Sequence, residues 1–389
     1  TALTKTGSGT VLLSNANTYT GNTTITDGII DVGHNNALGT GTLVMNGGGL
    51  RDDGTLRTLA NNISVTANNS AIGGSAGLTF NGTMTFEGEH ALNNYNGGTV
   101  TFGNVNLSNS ATDQLVTFAN HGSDMIINGV IANGGTSTAS SIRKNGAGTL
   151  ILNGNNTFGG GLNIAAGTLT VGHNNAAGTG TLTLNGGTLT ASGSRTLANN
   201  VDITNDSAIA GSSAIQFDGT FGNANGTRYL DVSNSATTTF GNINISSDGS
   251  DRFIIFTGSG NTVVNGVVAN GGGSTGSGIG LISSGSLTLN GNNTYGGNFY
   301  HDGGTLILGH DNALGTNNFL AYGGTIQAAG GTRTIANNIS YWDNTTFAGS
   351  NALVFNGDFY NTNNLSVTNN NSATTTFANI DLSYDASNF

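Results

Sequence analysis

Cysteine and proline are both missing from the 389 residues, only 7% of residues are charged, and no apolar run is long enough for a transmembrane helix. The lack of cysteine excludes disulfides and thiolate metal sites, and it suits a protein displayed in an oxidising medium. At the usual proline content of about 5%, about twenty prolines would be expected. A parallel ladder accounts for their absence, because proline cannot donate the hydrogen bond that a central strand owes its neighbour. Lysine and arginine together number nine against 20 acidic residues, a formal charge of −11. That balance argues against nucleic acid and anionic membrane surfaces as partners. It also leaves trypsin-like proteases few places to cut.

What is present is repetition. Lys144 to Asn175 reads KNGAGTLILNGNNTFGGGLNIAAGTLTVGHNN, and close copies run from Lys5 to Asn36 and from Ser283 to Asn312. A Gly-His-Asn/Asp-Asn corner recurs at Gly33, Gly172 and Gly309. Arg-Thr-Leu/Ile-Ala-Asn-Asn begins at Arg57, Arg195 and Arg333, so each step is 138 residues (195 − 57 and 333 − 195). Phe80, Phe217 and Phe355 keep the same beat, as do Phe102, Phe240 and Phe377. A fixed internal period marks a repeat architecture. No composition shift divides the chain, which reads as one continuous array of three repeats, about 5–142, 143–280 and 281–389. The third is incomplete, and with no initiator methionine the chain reads as a fragment of a longer one.

Within a copy, apolar residues alternate over short runs between Asn/Gly corners. Leu150/Leu152, Leu162/Ile164 and Leu169/Val171 are expected to face inward, and the series continues through Leu182/Leu184, Val201/Ile203, Ile215/Phe217, Phe253/Ile255, Val263 and Val267. Asn and Gly suit the corners because both tolerate left-handed backbone. No window carries a helical period with a cap. The expected fold is all-β, a parallel solenoid in which each coil buries a column of Leu, Ile, Val and Phe that it could not bury alone. Coils of roughly 20 to 25 residues give about six per repeat and about 17 in all, a rod on the order of 80 Å long at about 4.8 Å per coil.

This geometry governs the repeated polar residues. His34, His173 and His310 resemble a ligand set, but about six coils separate successive members, so they cannot share a metal. A local role is expected, hydrogen bonding to corner carbonyls. The same distance breaks up Arg57, Arg195 and Arg333, and the pairs Asn61/Asn62, Asn199/Asn200 and Asn337/Asn338 read as corner residues.

The pattern GTLxLxGxNTYTGxTxIxxGxLxVG, carried by Gly9 to Gly33, Gly148 to Gly172 and Ser286 to Gly309, resembles the autotransporter-associated β-strand repeat, also called the passenger-associated transport repeat. It covers roughly a fifth of the chain. The resemblance implies a right-handed parallel β-helix exported by Gram-negative bacteria, often tethered by a C-terminal β-barrel, with adhesins and long surface proteins among its members. The motif itself implies structure and no catalysis.

Copy three departs from the pattern at His301, where Ile25 and Ile164 stand in the other copies. Either a histidine satisfied by hydrogen bonds enters the core, or the strand slips by one residue and Tyr300 goes in. The carboxylates Asp52/Asp53, Glu87/Glu89, Asp248/Asp251 and Asp302 are scattered, and neither a calcium nonapeptide nor a nucleophile elbow is present. No enzyme, cofactor or metal is expected. Six of nine tyrosines and the only tryptophan fall in the third repeat. Aligning the copies places Tyr322, Trp342 and Tyr360 outward, with Tyr300 joining them if its strand holds register. Such rings can stack on sugars or bury a partner's apolar surface. The leading expectation is a non-enzymatic extracellular or cell-surface rod, a stalk, fibre or adhesin shaft. Its rivals are a segment that binds carbohydrates or cells through the third repeat, a filament subunit that pairs with copies of itself and, last, a polysaccharide-cleaving enzyme.

Overall fold

The structure, a computed structural model, describes residues 1–361 and 366–381. The described residues contain strands, turns and bends, and no helix. Two compact units, Thr1–Asn199 and Asn200–Phe389, each form a parallel β-solenoid.

In the first unit the coils lay short strands on three faces, with some coils carrying strands on only two of them. The first face starts with Leu3–Lys5, Thr23–Ile25 and Leu43–Met45. The second starts with Thr10–Leu13, Ile29–Val32 and Gly49–Asp52. The third starts with Arg57–Leu59, Leu78–Phe80 and Val100–Phe102. Register partners lie 20 residues apart at Leu3 and Thr23 and 26 apart at Ala91 and Thr117, close to the expected coil length. Inside, Leu150, Leu152, Leu162, Ile164, Leu169 and Val171 are all buried, as the alternation requires. Every repeat also stacks a phenylalanine pair on consecutive coils: Phe80 on Phe102, Phe217 on Phe240 and Phe355 on Phe377, with centroids 5.1 to 5.3 Å apart. Burying each such ring stabilises the coil by about 1.5–3 kcal/mol.

The second unit corrects the inward series at three places. Ile254 and Phe256 share the core-facing register, Phe253 is only half-buried while Ile255 is also buried at 6% exposure, Val264 replaces Val263, and Val268 is buried while Val267 is 38% exposed. Phe253–Thr257 reads FIIFT, apolar on both faces, so alternation cannot choose its register. The neighbours choose it: Leu230 and Leu281 sit in register with Phe256. A one-residue slip would turn both leucines' partner outward.

The 138-residue period is not a whole number of coils. Along the first face the chain steps from Thr23 through Leu43, Ile63, Met84 and Val105 to Ile131, and the Thr157 amide then bonds the Ile131 carbonyl. Leu162–Ile164, the counterpart of Thr23–Ile25, follows on the second face. Ile29–Val32 lies on the second face and its counterpart Thr168–Val171 on the third. One repeat is therefore six turns plus one face. The second unit shows the same step independently. Val201–Asn205 pairs with Phe221–Asn223, whereas its counterpart Ile339–Tyr341 pairs with Phe319–Ala321, on the face that begins with Ser207–Ile209.

Candidate functional site

The repeated histidines are local devices. In each copy Nδ1 accepts the amide N–H two residues on, from Asn36, Asn175 and Asn312, at 3.0 Å every time. The expected role as donor to a corner carbonyl is thus reversed: the ring accepts, as a neutral imidazole can. Arg57 grips Asp53, Arg195 donates to the carbonyls of Ser192 and Ser194, and Arg333 donates to that of Ala329. None of these reaches its counterpart in another repeat.

The paired asparagines bind in two directions. Asn61 donates to the carbonyls of Gly39 and Gly41 on the coil before, while Asn62 accepts the Thr83 amide from the coil after. Asn199 and Asn337 repeat the first contact, and Asn200 and Asn338 the second. Each pair fastens a corner between its neighbours, supplying backbone groups that strands no longer serve.

Two lysines that open the first two copies point inward. Lys144 is fully buried and its Nζ donates to the carbonyls of Asn145, Gly146 and Ala166 at 2.7 to 3.0 Å. Lys5 makes the matching contacts to Thr6, Gly7 and Asp27. Burial pushes the Lys144 ammonium down to about 8. In copy three Leu281 occupies this position and, in register on the next coil, His301 takes the place of Ile164. The buried polar group has moved one coil along.

His301 is fully buried in unslipped register, with Tyr300 turned outward. The strand-slip expectation is therefore overturned, because Phe299 pairs with Ile279 and Phe319 and both partners anchor the core. Nor is the ring satisfied: neither nitrogen has a hydrogen-bond partner. Its Nε2 lies 2.7 Å from where a Cβ on Gly324 would stand, just as the Cγ2 of Ile25 and of Ile164 crowds Gly48 and Gly187. Glycine at this position makes room for the inward side chain below it. Burial pushes the His301 pKa down to about 4, offset only in part by the backbone of Gly303 and Gly304.

Tyr300, Tyr322 and Trp342 come together. Tyr300 stacks on Tyr322 and Tyr322 on Trp342, with centroids 6.4 and 6.0 Å apart and planes within 14°. All three are half-buried, and Phe253 packs edge-on against Tyr300. Tyr360 lies apart, its hydroxyl donating to Asp358 and its backbone in register with Ser340. Burial, with Tyr300 and Asp302 adding to it, raises the Tyr322 pKa.

The carboxylates are bound singly. Asp52 is buried and accepts backbone amides from Gly54, Ser75, Ala76 and Gly77 and the side-chain amide of Asn96. Burial alone would raise its pKa, but these bonds together hold it below the usual range. Asp248 pairs with Arg252, Asp251 accepts the amides of Thr275 and Gly276, and Glu87 accepts the Ser64 hydroxyl. Among the described residues no three His, Asp or Glu side chains gather as a metal site, and no helix is long and apolar enough to cross a membrane. Sequence reasoning passed over Lys144, although the alternation Ile142-Arg143-Lys144 already turned it inward. It also passed over Arg51, Gly73, Tyr95 and His121, which only coil-to-coil spacing brings together.

The three-faced coils and their fastened corners define the chain as a parallel β-solenoid repeat protein. The passenger-associated-transport-repeat family model matches residues 3–32, 142–171 and 283–299, so the chain carries three segments similar to that repeat. Neither the curated proteins nor the solved structures give a match.

Proposed function

We propose that the chain is a non-enzymatic structural shaft of an exported, surface-displayed protein, a stalk or fibre whose purpose is length and stiffness. The observation that supports this most directly is that, within each unit, coil follows coil in parallel register over an apolar core, with buried side chains committed to packing or to backbone hydrogen bonds. A design of this kind resists proteolysis because few backbone segments can be lifted out singly. Small-angle scattering from the purified chain is expected to give a rod on the order of 80 Å long, at about 4.8 Å per coil. A compact particle would overturn the reading.

A second reading is favoured by the aromatic ladder: the third repeat as a segment that binds carbohydrates or cells. Trp342→Ala is then expected to abolish binding on a glycan array while leaving the melting temperature within a few degrees of wild type. An array on which wild type and variant behave alike would end it.

A further inference from the structure

On the second face of the first unit, successive coils carry Asp31, Arg51, Gly73, Tyr95 and His121 outward in one column. Arg51 donates twice to Asp31, at 2.8 and 2.9 Å. Tyr95 lies flat on His121, centroids 5.1 Å apart and planes 11° apart, so one face of the tyrosine is covered. The preceding position of the column is Gly73, which has no side chain to fill the space beside Tyr95. A cleft of about 330 Å³ opens there, walled by Tyr95 and Arg51 and floored by Gly47, Gly48 and Gly49. Tyr95 is 59% exposed. Asn69 on the rim has φ +66°, the one positive value of a non-glycine among the described residues. Asparagine tolerates this left-handed backbone at a corner.

We propose that this cleft is a carbohydrate subsite, in which one pyranose ring of a neutral glycan packs its CH face on Tyr95 and hydrogen-bonds through its hydroxyls to Arg51, Asp27 and Asn69. The volume falls at the small end of ligand clefts. An aromatic platform opposite a few polar groups matches a sugar, apolar on its ring face and polar at its rim. Charge selects against acidic ligands, because Arg51 is already matched by Asp31 and Asp27 also lines the cleft. The ladder of the third repeat is less suited, since Tyr322 is covered on both faces and Tyr300 is met by both Tyr322 and Phe253. The subsite does not depend on either reading of the third repeat, nor on the shaft.

The test is saturation-transfer NMR on the whole chain with a panel of methyl hexopyranosides and α- and β-linked disaccharides. At least one sugar is expected to bind, and Tyr95→Ala to weaken it by about tenfold, the scale of one stacking contact. Gly73→Val should do the same with Tyr95 in place, because its new Cβ meets only the movable stem of Arg51, at 3.0 and 3.3 Å. It keeps the test decisive if Tyr95→Ala disturbs the coil. Tyr95→Phe, which keeps the ring, and Trp342→Ala, in the other unit, should each bind within about twofold of wild type. A wild-type chain that binds no sugar in the panel overturns the proposal. So does undiminished binding by Gly73→Val, or loss of binding by Trp342→Ala, which would move the sugar to the ladder.

Discussion

Lys144→Met is expected to destabilise the first unit by about 3 kcal/mol, lowering its melting temperature by roughly 6–12 °C. Methionine keeps most of the apolar stem and removes the ammonium, so the loss comes from three carbonyls deprived of their donor, those of Asn145, Gly146 and Ala166. Each orphaned carbonyl costs about 1 kcal/mol or more. A buried charge is costly in itself, and exchanging a whole buried ion pair for apolar residues can be neutral. Here the partners are main-chain oxygens that no substitution removes. Copy three shows what a different solution requires: Leu281 in place of the lysine and a polar group on the next coil. Thermal unfolding followed by circular dichroism checks this, and a variant melting within 2 °C of wild type would show that the lysine cage contributes nothing.

The second unit should lose stability as acid reaches His301. Its folded pKa, about 4, lies below the ordinary value of 6.5, so between these limits the unfolded chain binds more protons than the folded one. Stability from this group is complete above pH 6.5, falls as pH drops, and is lost by pH 4. The loss amounts to about 2 kcal/mol at pH 5 and about 3 kcal/mol at pH 4. His301→Ile restores the residue of the other copies, fits the slot beside Gly324, and removes two unpartnered buried nitrogens. It should raise stability at pH 7 by about 1–3 kcal/mol and flatten the acid limb. Melting curves of both proteins from pH 7 to 4.5 are the measurement. Because carboxylates titrate in both, the wild-type-minus-variant difference carries the result, and parallel curves would refute it.

Much of this molecule could be read from its residues because each coil solves a local problem. Alternation at Leu150/Leu152 and Leu169/Val171 sufficed to point them inward, and Asn-Asn pairs sufficed to mark corners. Reading failed where local information was symmetrical or the partner was remote. Phe253–Thr257 is apolar on both sides, so only Leu230 and Leu281 on neighbouring coils could set its register. Tyr95, Gly73 and Arg51 are 22 residues apart in each step and mean nothing until the coil length is known to that precision. The histidines bond within their own corners, and which ring atom bonds to what depends on corner geometry that composition does not encode.

The extra face in every repeat bears on how such a chain could grow. Adding one whole repeat by tandem duplication would copy each ornament on to the adjoining side of the prism, and three additions would bring it back to the same compass bearing. A lineage that lengthens this way cannot gather its outward groups into a single stripe; each added repeat sets them one side further round the solenoid.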